Sequence, residues 1–470
     1  MKKAKIFFVV FFVAIGSLSL SACKNTESKK TLYEIYAEYL DGGVLNVDMT
    51  ATVYGYSGDG IKLNVYPNAY RKGAKITPLK DSDGCGDCKI SAVWIDGESA
   101  DYSLTGSDEN VLAVKSNGKN NEELKIRVKY SVTLSDSDER ASRYENGANL
   151  GNVFLTLCHN GESGAIECEY GPIGDPFVSD CADYDVSLVV PGEYVVASGL
   201  AAKSCDVDDD KTEYRFSARS VRDVAFSLNK NYKIAEKKSG NKSIKYYFYD
   251  DDNSETTLNY ICDALLFFEK SFGEYPYPSY SVAQTPFDAG GMEYPCFAFV
   301  ADGLDYDDYI IAAVHETAHQ WWYGIVGNDQ IKEAYLDESL AEYSTYLFFA
   351  DKSDPFVDAE SFYKNKRGGC ATAEHVFMSL FPEYSGKVNR SLNEFFNAYD
   401  YVNAVYDKGF LMMKAAEDAV GRKKVVKNLK NYREKNEYSV ADTEDFLDSM
   451  GAAKKVISAY LDGKVFLPLE

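Results

Sequence analysis

Between residues 32 and 228 the apolar side chains fall at every second position. Leu124, Ile126, Val128, Tyr130, Val132 and Leu134 alternate with polar neighbours, as a strand with one buried face requires. Ile61, Leu63 and Val65 repeat the pattern after the turn signal Ser57-Gly58-Asp59-Gly60, and Tyr184, Val186 and Leu188 continue it. Strands separated by turn signals, with few helical stripes, predict an all-β domain over 32–228. The period changes after Asn229. The polar, glycine-containing stretch 237–242 places a boundary near here, with a second domain over 229–470. Leu258, Ile261, Leu265, Phe268 and Phe272 recur at spacings of three and four, one face of a helix that Gly273, Pro276 and Pro278 stop. A short strand over 297–300 precedes a helix over 307–323, with Asp307 and Asp308 at its start and Gly324 at its end. A second helix covers 337–349, and more helices fill the remainder.

The amino terminus has a different texture. Lys2, Lys3 and Lys5 precede an apolar run of 15 residues, 6–20, which is short for a spanning helix and reads as an export signal. Leu20-Ser21-Ala22-Cys23 follows. It resembles the lipobox of bacterial lipoproteins, which implies removal of residues 1–22 and lipidation of Cys23; ordinary signal cleavage is the alternative. Residues 23–31 then form a tether, and no later stretch reaches the length of a membrane crossing. The location this implies is the extracytoplasmic face of a bacterial cell membrane.

Composition narrows the choice further. The 470 residues are 45% hydrophobic and 26% charged, which excludes a disordered chain and leaves length for more than one domain. The net charge of −23 argues against nucleic acid as a partner, because phosphate would repel it. Cys23 aside, nine cysteines remain, so at least one thiol or an intermolecular bridge is left over. Cys85-x-x-Cys88 has no histidine or second pair nearby and reads as a turn disulfide or free thiols. The acidic runs 206–210 and 250–252 match no calcium loop and read as solvated loops.

His315-Glu316-Thr317-Ala318-His319 carries the chemistry. Residues four apart share a helix face, so both imidazoles point the same way and can hold one zinc ion. The adjacent Glu316 can reach a water on that ion. With four histidines in the chain, chance rarely produces the spacing. A catalytic zinc needs a third protein ligand and an open position. Eighteen residues past His319, Glu338 opens the next helix and can supply that ligand. Glu342, one turn on, either orients a ligand histidine or faces solvent.

These residues resemble the gluzincin pattern of the aminopeptidase N family. The surroundings, His319-Gln320-Trp321-Trp322-Tyr323-Gly324 and Leu336-Asp337-Glu338, are similar too. Gly290-Gly291-Met292-Glu293 resembles the family's G-x-M-E-N motif, and Val405-Tyr406-Asp407-Lys408-Gly409 its V-Y-x-K-G motif, in the family's order. Gly174-Asp175-Pro176-Phe177, Asp183-Tyr184-Asp185-Val186 and Thr443-Glu444-Asp445-Phe446 add a weaker likeness. The resemblance implies a saddle-like β domain followed by a thermolysin-like α/β catalytic domain, mostly helical. It implies one zinc ion per chain on His315, His319 and Glu338, with Glu316 as general base and Tyr406 as oxyanion donor. Glu293 would hold the free α-amine of a peptide that lies along Gly290, Gly291 and Met292. The expected activity is removal of N-terminal residues from peptides. The rivals are a zinc endopeptidase and a lipoprotein that captures peptides without turnover. Two departures stand out: Tyr294 follows the motif glutamate in place of asparagine, and Ser339 stands where glycine is common. The chain also stops at Glu470, before the helical domain that roofs the site in longer members, so a more open cleft is expected.

Overall fold

The computed structural model describes residues 29–469, apart from 57–59, 75–83, 117–120, 162–163, 209 and 353–356. The export signal, Cys23 and most of the tether lie outside the described residues, as does most of the turn at 57–60.

The amino-terminal half is β-rich. Its main sheet has eight strands in the order Ala202–Asp208, Lys211–Val221, Ala182–Pro191, Leu32–Leu40, Val44–Tyr56, Asn121–Thr133, Asp87–Ile95, Glu98–Ser99. Leu32–Leu40 runs parallel to Ala182–Pro191 and antiparallel to Val44–Tyr56. The alternating residues Leu124, Ile126, Val128, Tyr130 and Val132 all face the core. Two four-stranded sheets and a two-stranded one complete this half. Among the described cysteines no disulfide is present, and Cys88 is a buried thiol.

The strand pairing changes between Asn229 and Lys233. Phe226–Asn229 belongs to a sheet of the first half, whereas Lys233–Ser239 starts a five-stranded sheet in the second. The polar stretch at 237–242 is the hairpin joining Lys233–Ser239 to Lys242–Phe248 within that second sheet. Next come helix α1, Ser254–Phe272, and the parallel strands Ser279–Thr285 and Phe297–Ala301. The two-residue strand Gly291–Met292 pairs antiparallel with Phe297–Ala301 at the sheet's edge. The five apolar residues expected on one face of α1 are all buried. Asp251 lies in the loop before that helix and accepts from the Thr257 hydroxyl at 2.7 Å.

Helix α2, Tyr306–Ala318, ends five residues earlier than its sequence pattern predicts. The physical reason is the His319 ring, whose Nδ1 lies 2.9 Å from the Trp322 carbonyl, so the chain must turn back over the histidine. Tyr323 adopts φ 117° in that turn, and Trp321 and Trp322 are fully buried by it. Helix α3, Tyr335–Asp351, is buried from Tyr335 to Phe349 on every side, which makes it a central helix of this half. The Trp322 indole donates to Ser344 on α3 at 2.9 Å and locks the turn against it. Helix α4, Ala359–Leu380, leads to the π-helical turn Val402–Lys408 and to helix α5, Gly409–Val420.

The halves share one apolar core. Arg222, 1% exposed at the end of the β half, donates to the carbonyls of Ser179 and Tyr323 at 2.6 and 2.7 Å. It also donates to Ser439. One guanidinium thus ties three segments of backbone together.

Candidate active site

Helix α2 brings His315, Glu316 and His319 to its carboxyl-terminal end, and the first turn of α3 brings Glu338 to meet them. The two Nε2 atoms lie 3.0 Å apart, and each is 3.2 Å from Glu338 Oε2. Tetrahedral zinc with bonds of ~2.0–2.1 Å places its ligand atoms roughly 3.3 Å apart. The donor types and spacing therefore fit that ion. The other ring nitrogens are committed elsewhere: His319 Nδ1 to the Trp322 carbonyl, and His315 Nδ1 to Glu342 Oε1 at 3.5 Å. Such contacts hold the rings with Nε2 turned inward. Glu342 is buried, which settles the choice between an orienting and a solvent-facing role on the side of the histidine.

Glu316 is 5% exposed and its Oε2 has no hydrogen-bond partner. A buried oxygen of this kind awaits a donor. Burial pushes its carboxyl up to about 7, against the pull of His319 and His315. A Cβ at position 291 would overlap that carboxylate, so glycine there lets the edge strand lie directly on the general-base candidate. Burial also raises Glu338, but His319 and His315 more than reverse it and hold its carboxyl below the usual range.

Tyr406 comes from the π-helical turn, a local geometry often found at functional sites. Its ring stacks on His315, with centroids 5.9 Å apart and planes 17° from parallel. Burial and the neighbouring Glu338 push its hydroxyl well above the ordinary value, so it stays protonated and able to donate. Ser339, the departure from glycine, donates to the Val405 carbonyl at 2.7 Å and so fastens α3 to the residue before Tyr406. Gly409 makes room for it, because a Cβ there would overlap the Ser339 side chain. Tyr294, the other departure, donates to Asn152 of the β half at 2.9 Å.

Glu293 is 3% exposed and accepts from the Gln330 amide at 2.9 Å; the same amide nitrogen donates to Asp337 at 2.7 Å. Met292 is buried, with its sulfur 3.0 Å from Arg140 Nε. The β half adds Asp175, whose carboxylate comes within 4.8 Å of those of Glu293 and Glu338 and is ion-paired with Arg140. Burial, then Asp175, push the Glu293 carboxyl well up, with His319 pulling the other way. Asp175 is the residue that motif spacing does not assign. It sits in the weakly matching segment Gly174-Asp175-Pro176-Phe177, but its place beside Glu293 depends on how the halves pack. The cleft holding these groups encloses about 820 Å³ and is lined from both halves, with Glu139, Asp288 and Tyr170 farther along it. Carboxylates dominate its walls, so it favours cations.

Residues 256–463 match the peptidase family M1 domain. The tricorn protease-interacting factor F2 of Thermoplasma volcanium is 23% identical over 319 residues, which is 63% of this chain and 40% of that protein. The mitochondrial aminopeptidase 2 of Saccharomyces cerevisiae is 24% identical over 290 residues, 58% of this chain and 30% of its own. The chain therefore spans 30–40% of the length of these curated relatives. Its fold is that of an M1 zinc metallopeptidase from Deinococcus radiodurans, with a TM-score of 0.68 at 17% identity, covering 94% of this chain and 95% of that one. A mutant of the Deinococcus enzyme is known bound to a Tyr-Ser-Ala substrate, at TM-score 0.65 and 17% identity over 94% and 95% of the two chains. The ordered motifs, the two-part fold and the family match over residues 256–463 together show a chain similar to the aminopeptidase N-like M1 peptidases.

Proposed function

We propose that the chain is a zinc-dependent aminopeptidase that removes N-terminal residues from peptides. The observation that carries this reading is the pair of buried carboxylates, Glu293 and Asp175, beside the His315, His319 and Glu338 triad. His315, His319 and Glu338 would hold the ion. When bound, zinc lowers the pKa of water and polarises a carbonyl. Glu316 takes the proton of the attacking water and, with a carboxyl near 7, can pass it to the leaving amine. Tyr406 donates its hydroxyl to the oxygen on which negative charge develops. Glu293 and Asp175 accept from the substrate's ammonium group and set the scissile bond one residue from the N-terminus. The open edge of Gly291–Met292 gives the peptide backbone a strand to pair with.

The test is one short peptide in free and N-acetylated forms, with products identified by mass spectrometry. Stepwise loss of residues from the free form alone is expected, abolished by a chelator, restored by zinc and lost in Glu316→Gln. Internal cleavage of both forms would replace this reading with an endopeptidase. Zinc binding without cleavage of either would favour a peptide-capturing protein.

The second part of the proposal concerns place. The lipobox-like segment ending at Cys23 supports a lipid anchor on the outer face of a bacterial cell membrane. No helix among the described residues is long and apolar enough to cross a membrane. Labelled palmitate should enter the wild-type chain and not Cys23→Ser; equal labelling would rule out this anchor.

A further inference from the structure

Behind the cleft wall lies a line of alternating charges. Glu342, which faces His315 with one oxygen, places the other 3.3 Å from the Lys366 ammonium. Lys366 in turn lies 2.8 Å from Asp407, the residue after Tyr406. Because the Tyr406 ring stacks on His315, the line closes on itself: histidine, glutamate, lysine, aspartate, tyrosine, histidine. Four separate elements contribute, namely α2, α3, α4 and the π-helical turn. Glu342 and Tyr406 line the cleft, whereas Lys366 and Asp407 stand behind it. The lysine side chain is 23% exposed and those of its partners 10% and 20%, so the charges are shielded enough to matter.

We infer that Lys366 is a positioning residue that holds the His315 imidazole and the Tyr406 hydroxyl in register across the site. One ammonium neutralises two carboxylates borne on different elements. Without it those carboxylates would repel, and each would pull on a group that faces the reacting atoms. Burial pushes the Lys366 ammonium down, but Glu342 and Asp407 more than reverse this, so the charge is retained. A second fastening lies two turns along α4. Glu374 pairs with Lys408, which also donates to the carbonyls of Gly386 and Val465 at 2.6 and 2.7 Å. Helix α4 thus grips both residues that follow Tyr406. Lys408 is fully buried, so its removal would test folding; Lys366 can be changed at less risk.

The inference rests on the zinc-peptidase reading, and the experiment separates the two. In the full chain, Lys366→Met should weaken zinc binding about tenfold by chelator competition, within the range for groups that orient a metal ligand. The visible spectrum of the cobalt-substituted protein should shift with it. Peptide kcat should fall about tenfold while KM stays within about twofold. Lys366→Arg keeps the charge and should restore most of both. Lys364→Met, at an exposed lysine paired with Glu360, should change nothing. Wild-type zinc affinity and kcat in Lys366→Met would overturn the inference. So would a loss that Lys366→Arg fails to reverse, which would make the residue a support of folding only. If the wild type cleaves no peptide, the functional reading falls, and the zinc-affinity and spectral results still decide the role of Lys366.

Discussion

In the proposed function, selectivity for a free N-terminus rests on two single residues, Glu293 and Asp175. Both carboxylates line the cleft, and Glu293 accepts from the neutral Gln330 amide, which leaves its charge open to a substrate ammonium. Replacing that carboxylate by an amide removes a charge-assisted bond worth about 1.5–3 kcal/mol. Glu293→Gln should therefore lower kcat/KM for free peptides by roughly tenfold to a hundredfold, with the zinc content unchanged by metal analysis. An unchanged kcat/KM would remove Glu293 from amine binding. The paired histidines were legible in the sequence because helical geometry alone brings positions four apart together. Asp175 was not, because no local geometry relates it to residues 118 positions further on.

Among the elements, the meeting of α3 with the π-helical turn decides where Tyr406 points. The Ser339 hydroxyl occupies space that Gly409 leaves, and bonds the carbonyl just before the tyrosine. Adding a methyl at position 409 should thus destabilise the wild type by about 1–3 kcal/mol through overpacking. The same change should cost much less in a Ser339→Gly background, because the colliding atoms are gone. Denaturant unfolding of the four proteins in the double-mutant cycle measures the coupling; additive effects would mean that the two sites do not touch. The sequence located α1 by its periodic apolar face and α2 by the acidic residues at its start, and it placed a helix over most of α3. It placed the end of α2 five residues late, because the signal that ends it is a ring-to-carbonyl contact rather than a glycine or proline.

For the whole molecule, the seam between the halves contains a buried acid whose titration should be visible in stability. Asp223 accepts from the Tyr323 hydroxyl at 2.9 Å and is 6% exposed. Burial pushes its carboxyl to about 6, with Tyr323 and Arg222 pulling it back. The folded state thus binds this proton more tightly than the unfolded state does. The resulting stabilisation is complete below about pH 4 and is lost as the pH rises through about 6. Between pH 8 and pH 5 the wild type should gain about 1 kcal/mol relative to Asp223→Asn, which has no such titration. Guanidinium unfolding at the two pH values checks this; a constant difference would mean that Asp223 is ionised throughout.

The sequence by itself determined the alternating strands of the first half, the amphipathic helix α1 of the second and the spacing that turns His315 and His319 to one side. Each of these follows from the backbone period of a single element. The tertiary structure alone decided that Glu338 reaches both imidazoles and that Asp175 crosses from the β half to stand beside Glu293. It also decided that Lys366 joins Glu342 to Asp407. Those contacts depend on the angles and distances at which separate elements pack, and these are set by the shared core rather than by any local run of residues.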